Sequence, residues 1–181
     1  MNIIECNILG PLIIEPTVFG DDRGFFMESW NAEAFAAVGL DLNFVQDNHS
    51  RSQKGVLRGM HFQNPRPQGK LVRVVRGAVF DAVVDLRRSS STFGMWTGVF
   101  LSSENKRMFW VPEGFAHGFL TLEDDTDFHY KCTAPYHPEN ESSLAWDDPT
   151  VGIEWPLEGI ELKLSSKDTA GLLLADVKAF G

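Results

Sequence analysis

Apolar and polar residues alternate along much of the middle of the chain. In AVFDAVVDLR, residues 78–87, Val79, Asp81, Val83 and Asp85 fall on one face of an extended strand and apolar residues fall on the other. Other short apolar runs, separated by turn-rich breaks, occupy residues 56–63, 71–77, 96–102, 107–114, 118–123 and 128–134. Many short strands at this spacing are typical of a sandwich or barrel, so the pattern predicts a mainly β fold.

Helical patterns are few. NAEAFAAVG, residues 31–39, predicts a short helix that Asn31 caps and Gly39 ends. The C-terminal stretch SSKDTAGLLLADVKAF predicts another, capped by Ser165 or Ser166. With 181 residues, no repeat and no linker, the chain is expected to form a single domain over residues 1–181.

Charge and cysteine usage narrow the function classes. The net charge of −9 argues against binding to nucleic acid polymers, which needs a basic face, although it leaves room for a local phosphate site. Cys6 and Cys132 are far apart in sequence and form no CxxC pair, which predicts two free thiols in a reducing compartment. The N-terminus lacks the pattern of a signal peptide, and no apolar window reaches the ~20 residues that span a bilayer. We therefore expect a cytoplasmic protein without membrane contact.

The run VLRGMHFQ, residues 56–63, places two polar side chains inside an apolar strand. Strict alternation would point Arg58 and His61 to opposite faces, whereas a bulge at Gly59 would bring both to the same side. His61 could equally be a hydrogen-bonded histidine of the core. The pattern alone leaves both interpretations open.

A second histidine, His117, lies in the apolar run PEGFAHGF. One histidine per motif supplies too few ligands for a closed metal site of nitrogen and oxygen donors, so we predict no metal. Neutral imidazole is instead suited to proton transfer near physiological pH, especially where a carboxylate holds its tautomer. Asp168, Asp81 and Asp85 are all candidates for that carboxylate.

Three cations stand beside glycines or apolar segments or next to Asp168: Arg23, Lys70 and Lys167. Each could be an ordinary solvated charge, but cations in partly buried places often bind phosphate. Serine-nucleophile, P-loop and dinucleotide motifs are absent. These features together indicate proton transfer on a phosphorylated or nucleotide-linked substrate.

Several blocks, taken in order, resemble the dTDP-4-dehydrorhamnose 3,5-epimerases: FGDDRGFFMESW, FVQDNHSRS, GVLRGMHFQ, QGKLVRVVRGAVFDAVVDLR, ENKRMFWVPEGFAHGF and LSSKD. The resemblance implies a cupin-type double-stranded β-helix (jelly roll), a homodimer, and no metal or organic cofactor. It also implies a place in dTDP-L-rhamnose synthesis. The implied reaction converts dTDP-4-dehydro-6-deoxy-D-glucose to dTDP-4-dehydro-L-rhamnose by inversion at C3 and C5 through enolates.

The same resemblance assigns roles by motif position. His61 corresponds to the general base, Asp168 to the carboxylate that orients it, Tyr130 to the acid, and Lys70 to the partner of the enolate oxygen. Substrate contacts correspond to Arg23, Glu28, Gln46, Asp47, Asn48, Arg58, His117, Tyr136, Glu141 and Lys167. Of these, Arg23 and Arg58 would hold the diphosphate and Tyr136 would stack on thymine. Some contacts, chiefly from the N-terminal blocks, are expected to cross the dimer interface.

Other functions remain as alternatives. A dTDP-sugar 5-epimerase or a 3,4-ketoisomerase would use a similar substrate, although ketoisomerases generally lack this combination of RGMHFQ, a late KD pair and the FHYKC tyrosine. A metal-dependent oxygenase of the same fold and a non-catalytic sugar-binding module belong to other classes. His49, His129 and His137 are expected to be structural.

Overall fold

The computed structural model describes residues 1–181 and is mainly β, as the alternation predicts. Its strands are β1 (Asn2–Glu5), β2 (Leu12–Glu15), β3 (Val18–Asp21), β4 (Gly24–Met27), β5 (Gln46–Ser52), β6 (Leu57–Gln63), β7 (Lys70–Arg76), β8 (Ala78–Asp85), β9 (Trp96–Ser102), β10 (Met108–Val111), β11 (Phe115–Thr121), β12 (Thr126–Cys132) and β13 (Glu141–Ser143). The helices are α1 (Ala32–Ala36) and two 3-10 turns, Pro138–Asn140 and Asp168–Ala170.

The strands form two antiparallel sheets and one separate hairpin. The first sheet has the order β1-β2-β10-β7-β12-β5, and the second has the order β13-β6-β11-β8-β9. Strands β3 and β4 pair only with each other. Because most neighbouring strands are distant in sequence, each sheet is assembled by long-range crossovers, as in a jelly roll.

The main core lies between the sheets. Val72 and Phe128 of the first sheet meet Val79 and Val83 of the second in one buried cluster. The opposite face of β8, which carries Phe80, packs under residues of the C-terminal third of the chain. The two faces predicted for residues 78–87 are therefore confirmed, and β8 is buried on both of them.

The predicted helices have different outcomes. In α1, the Asn31 side chain accepts a hydrogen bond from the Ala34 amide at 3.2 Å, so the predicted cap is confirmed. The predicted C-terminal helix is only one 3-10 turn, Asp168–Ala170, but Ser165, one of its two predicted caps, accepts a hydrogen bond from the Asp168 amide at 3.3 Å. Beyond it, the Leu172 amide donates to the Ser143 carbonyl, so the chain bonds to the rim of the second sheet. Only a single further turn follows, closed by the Val177 amide on the Leu173 carbonyl.

No helix is long and apolar enough to span a membrane. Cys6 and Cys132 are both free thiols, as predicted from their spacing.

Candidate active site

A cavity of about 320 Å³ opens between the two sheets. The first sheet contributes inward-facing residues of β5, β7 and β12, and the second contributes residues of β6 and β11. Sixteen residues line the cavity: Gln46, Asn48, Ser50, Arg58, His61, Phe62, Gln63, Gln68, Lys70, His117, Phe119, Phe128, Tyr130, Tyr136, Glu141 and Lys167. We refer to this space as the cavity below.

A bulge in β6 brings Arg58 and His61 to the same side. His61 pairs with His117 of β11, but Arg58 pairs with Phe119, so β6 has one more residue than β11 across this interval. Gly59 has φ of +139°, and a Cβ on it would come within 2.5 Å of the Gly118 Cα. Only glycine fits this backbone. The bulge interpretation is confirmed, since both side chains line the cavity.

His61 forms a pair with Asp168. Its Nε2 lies 2.8 Å from Asp168 Oδ1, and the Asp168 side chain is almost entirely buried. Burial opposes ionisation of this carboxyl, but hydrogen bonds from Ser165 and Gly59 and the nearby His61 outweigh it and lower the Asp168 pKa. A carboxylate can only accept, so Nε2 carries the ring proton and Nδ1 keeps its lone pair.

His61 is held in its neutral form. Burial is the largest influence and lowers its pKa to about 4, and the positive charges of Lys167 and Lys70 act in the same direction. Asp168 and Glu141 oppose this lowering only in part. At neutral pH the imidazole is therefore an unprotonated base facing the cavity.

His117 has its own carboxylate. Its Nε2 lies 2.9 and 3.0 Å from the two oxygens of Asp81, which is fully buried. Burial raises the Asp81 pKa against the influence of His117 and Lys70. Asp85 is bound by Arg87 instead. Of the three candidate partners for His61, the structure selects Asp168.

Lys70 brings a cation to the cavity wall. Its ammonium group makes no ion pair and no side-chain hydrogen bond, and burial lowers its pKa. It stands opposite Cys132 in the register of β7 and β12. An ammonium without a protein partner is available to an anionic group in the cavity.

Tyr130 lines the cavity from β12. Burial raises its pKa, and Arg58 opposes this with its positive charge. The phenol is therefore protonated at neutral pH and can donate a proton or a hydrogen bond.

Tyr136, Glu141 and Lys167 form a linked group at the cavity rim. The Tyr136 hydroxyl donates to Glu141 Oε2 at 2.6 Å, and Lys167 forms an ion pair with Glu141. The Tyr136 hydrogen bond to Glu141 raises the pKa of Tyr136 to about 12. Gln46 accepts from the Tyr136 amide at 2.8 Å and fixes the position of this residue.

Three predicted contact residues lie outside the cavity of this chain. Arg23 is on the β3–β4 hairpin, with its side chain 89% exposed and paired with Asp21. Glu28 is also exposed and accepts a hydrogen bond from Asn31. Asp47 points to the outer face of β5, where it pairs with Lys131.

Sequence reasoning missed six of the cavity residues: Ser50, Phe62, Gln63, Gln68, Phe119 and Phe128. Gln63 is the most informative of them, because its amide donates to the carbonyls of Arg66 and Pro135 and accepts from the His137 amide. It thus holds the segment that carries Tyr136. Its place two residues after His61, with the same orientation in an alternating strand, was the signal that could have found it.

No group of three or more His, Cys, Asp or Glu side chains is arranged to hold a metal ion. The remaining histidines lie away from the cavity lining. His49 bonds to Asp127 at 2.9 Å, and its ring packs against that of His129, with 4.1 Å between centroids and an angle of 44° between the planes.

Taken together, the cavity offers a neutral imidazole base, a protonated phenol and an unpaired ammonium group. These groups suit removal of a proton from carbon, stabilisation of the oxyanion that forms, and return of a proton.

Comparison with known proteins gives a consistent result. A family model described as dTDP-4-dehydrorhamnose 3,5-epimerase matches residues 5–176. The enzyme of that name from Methanothermobacter thermautotrophicus is 57% identical over 166 residues, which cover 91% of this chain and 90% of the relative.

Solved structures agree in fold. A dTDP-6-deoxy-D-glucose-3,5-epimerase from Legionella pneumophila, in complex with dTDP-4-keto-L-rhamnose, has a TM-score of 0.94 and 54% identity, covering 98% of this chain and 94% of that one. A 3'-monoepimerase from Streptomyces bikiniensis, in complex with dTDP-quinovose, has a TM-score of 0.88 and 38% identity, covering 94% and 86%. The fold is thus the cupin-type jelly roll of these enzymes.

Proposed function

The chain belongs to the dTDP-4-dehydrorhamnose 3,5-epimerase family, and from that premise we propose how its own residues carry out the epimerisation. The protein is an isomerase of dTDP-sugars in rhamnose synthesis. We propose that it converts dTDP-4-dehydro-6-deoxy-D-glucose to dTDP-4-dehydro-L-rhamnose without a cofactor. The observation that carries the mechanism is the neutral His61, bonded to Asp168 at 2.8 Å at the wall of the cavity.

His61 acts as the base. The C4 ketone of the substrate acidifies the C–H bonds at C3 and C5, and Nδ1 of His61 takes each proton in turn. Asp168 stabilises the imidazolium that forms, because its charge favours the protonated ring.

Each enolate places negative charge on the oxygen of the former ketone. Lys70 is the proposed partner of that oxygen, since its ammonium group has no competing protein contact. A preorganised charge in a water-poor site stabilises such an oxyanion strongly.

Tyr130 returns a proton to the face opposite His61, which inverts the carbon. Its raised pKa keeps the phenol protonated before this step, and the charge of Arg58 eases formation of the phenolate. After turnover, His61 and Tyr130 exchange protons with solvent and return to their starting forms.

The nucleotide is proposed to lie along the rim of the cavity. Tyr136 would stack on thymine, a contact worth ~1–3 kcal/mol for aromatic residues on nucleobases. Arg58 would pair with the diphosphate. The remaining contacts within this chain are assigned to Gln46, Asn48, His117, Glu141 and Lys167, all of which line the cavity.

A homodimer would explain the position of the three proposed contact residues that lie outside the cavity. The hairpin exposes Phe19, Phe25 and Phe26, each more than 60% accessible, and such apolar patches mark interfaces. We propose that it inserts beside a second copy, so that Arg23 and Glu28 reach the partner's cavity. Asp47 would act near the same interface.

Single-domain organisation over residues 1–181 and a cytoplasmic location also remain proposals. Limited proteolysis tests the first and cell fractionation tests the second.

The second candidate function is an epimerase that inverts only one carbon, C3 or C5. The similarity to a 3'-monoepimerase favours keeping this candidate, because that enzyme shares the fold at 38% identity.

Incubation with dTDP-4-dehydro-6-deoxy-D-glucose in D₂O, followed by NMR at C3 and C5, tests both candidates. We expect deuterium at both carbons, and exchange in His61→Ala reduced at least ~100-fold, within the range for loss of a general base. His49→Ala, at a histidine outside the cavity, is the matched control. Incorporation at one carbon would establish the second candidate, and undiminished exchange in His61→Ala would refute the assignment of the base.

A further inference from the structure

We propose that Ser165 is a positioning residue for the His61–Asp168 pair, acting through the second oxygen of the Asp168 carboxylate. This inference rests on the proposed role of His61 as the base and adds a residue to the apparatus that orients it.

The Asp168 carboxylate is held at four points. Oδ1 accepts from His61 Nε2 at 2.8 Å and from the Gly59 amide at 3.1 Å. Oδ2 accepts from the Ser165 hydroxyl at 2.5 Å and from the Ser165 amide at 3.3 Å. Ser165 is the only side chain on Oδ2, so together with the Gly59 amide on Oδ1 it opposes rotation of the carboxylate away from His61.

The contact is reciprocal. The Asp168 amide donates back to Ser165 Oγ at 3.3 Å, and the Thr169 amide donates to the Ser165 carbonyl at 3.1 Å. A serine and an acidic residue three positions apart can exchange hydrogen bonds in this way within one turn of backbone. The turn therefore presents Asp168 to His61 in a fixed orientation although it lies outside both sheets.

The hydroxyl also influences how the carboxylate acts on His61. A short hydrogen bond to Oδ2 draws negative charge toward Ser165 and away from Oδ1. Loss of the hydroxyl would leave more charge on Oδ1, which favours the imidazolium. The other charged groups that act on the ring are Lys167, Lys70 and Glu141, and they stay in place when Ser165 is changed.

Ser166 supplies a matched control. It lies beside Ser165 in the same exposed turn, but its side chain makes no hydrogen bond, and only its carbonyl accepts one from Thr169. Replacing either serine by alanine removes the same atom, and only one of the two replacements should affect the base.

The test compares Ser165→Ala, Ser165→Thr, Ser165→Cys and Ser166→Ala. Dependence of kcat and KM on pH is measured with the dTDP-sugar, together with thermal unfolding. In Ser165→Ala we expect kcat to fall roughly 10- to 100-fold, as for loss of a hydrogen bond to a charged group, with KM changed less than about threefold. The acidic limb of the kcat profile should move toward neutral pH.

Ser165→Thr should restore both the rate and the limb, because it keeps the hydroxyl. Ser165→Cys keeps a side chain of similar size but donates only weakly, so its kcat and its acidic limb should lie between those of the alanine variant and the unaltered protein. This variant provides the test if Ser165→Ala does not fold. Ser166→Ala should match the unaltered protein.

An unmoved acidic limb in folded Ser165→Ala or Ser165→Cys would overturn the inference, even if the rate falls, because a merely structural role predicts that result. Failure of the proposed function is distinguishable: the unaltered protein would then catalyse no exchange at C3 or C5, whatever the serine variants do.

Discussion

The proposed base, His61, is kept uncharged by its surroundings. Burial and the two lysines outweigh the attraction of Asp168 and Glu141, which is why its pKa lies near 4 and not near the ordinary value for histidine. A base with so low a pKa is unprotonated throughout the physiological range. The sequence suggests the imidazole and its carboxylate but not this balance, since the distances to Lys70 and Lys167 depend on the fold.

The pH dependence of activity follows from that balance. Protonation inactivates the base, and the pKa of His61 is lowered to about 4, so kcat/KM should stay level from neutral pH down to about pH 5 and fall below that. Removing the charge in Lys167→Met should raise this pKa and move the acidic limb upward. Lys163→Met, at an exposed lysine without a predicted contact, is the control. An acidic limb near 6.5 in the unaltered protein would contradict the assigned protonation state.

Tyr130 allows removal and return of the proton to be separated. In Tyr130→Phe, His61 still removes protons, so solvent exchange at carbon should continue while inverted product falls at least ~100-fold. NMR of the sugar in D₂O measures both quantities. Tyr136→Phe is the matched control, because it removes a hydroxyl bonded to Glu141 and leaves the ring available for stacking. Parallel loss of exchange and product would place Tyr130 in proton removal instead.

At the scale of single elements, the sequence predicts the strands that contain a clear apolar run and misses those that do not. Each apolar run of the sequence corresponds to a strand, with ends displaced by at most three residues. β5 was not named as a strand because QDNHSRS carries no apolar residue; it is held as an edge strand by pairing with β12, a contact that local sequence does not reveal. The predicted C-terminal helix is confined to the turn Asp168–Ala170, because Leu172 and Phe180 beyond it bridge to Leu144 and Arg87.

The bulge in β6 was foreseen as one of two possibilities, and the packing of two glycines explains it. An added Cβ at Gly118 would lie 2.6 Å from Met60 Sδ and 2.7 Å from the Arg58 carbonyl. Gly118→Ala should therefore force β6 to shift, with a loss of about 1–3 kcal/mol in the free energy of unfolding, as for overpacked cores. Activity should fall as well, since Arg58 and His61 would lose their shared orientation.

Chemical denaturation and kcat/KM measure these two effects. Gly20→Ala is the control for stability, because a Cβ there meets only the Gly24 carbonyl at 3.7 Å. A Gly118→Ala variant with unchanged stability and activity would show that the close approach of the two strands is not required.

At the scale of the whole molecule, the proposed homodimer would account for the three proposed contact residues that lie outside the cavity. Ten of the assigned residues line it and Asp168 lies behind His61, but Arg23, Glu28 and Asp47 do not line it. The family resemblance predicted that N-terminal contacts would cross between subunits, and a hairpin with exposed aromatics is suited to that arrangement.

Mixing two defective variants tests this arrangement. Arg23→Ala and His61→Ala should each be nearly inactive alone. If Arg23 serves the partner's cavity, a mixed dimer has one site with both residues intact, and random reassembly should restore activity to about a quarter of the sites in a symmetric dimer. Coexpression followed by assay measures this recovery.

A mixture that stays inactive would mean that Arg23 serves its own chain. Full activity of Arg23→Ala alone would show that Arg23 is not a substrate contact. Arg88→Ala, at another arginine outside the cavity, is the control and should be active in every combination.

The position of Asp168 in the fold has one further consequence. The two sheets line the cavity in which the nucleotide sugar is proposed to bind, whereas Asp168 lies on a turn outside both sheets. Substrate binding and catalysis should therefore be separable. We expect Asp168→Asn to fold normally and to bind the dTDP-sugar, but to release it without inverting either carbon.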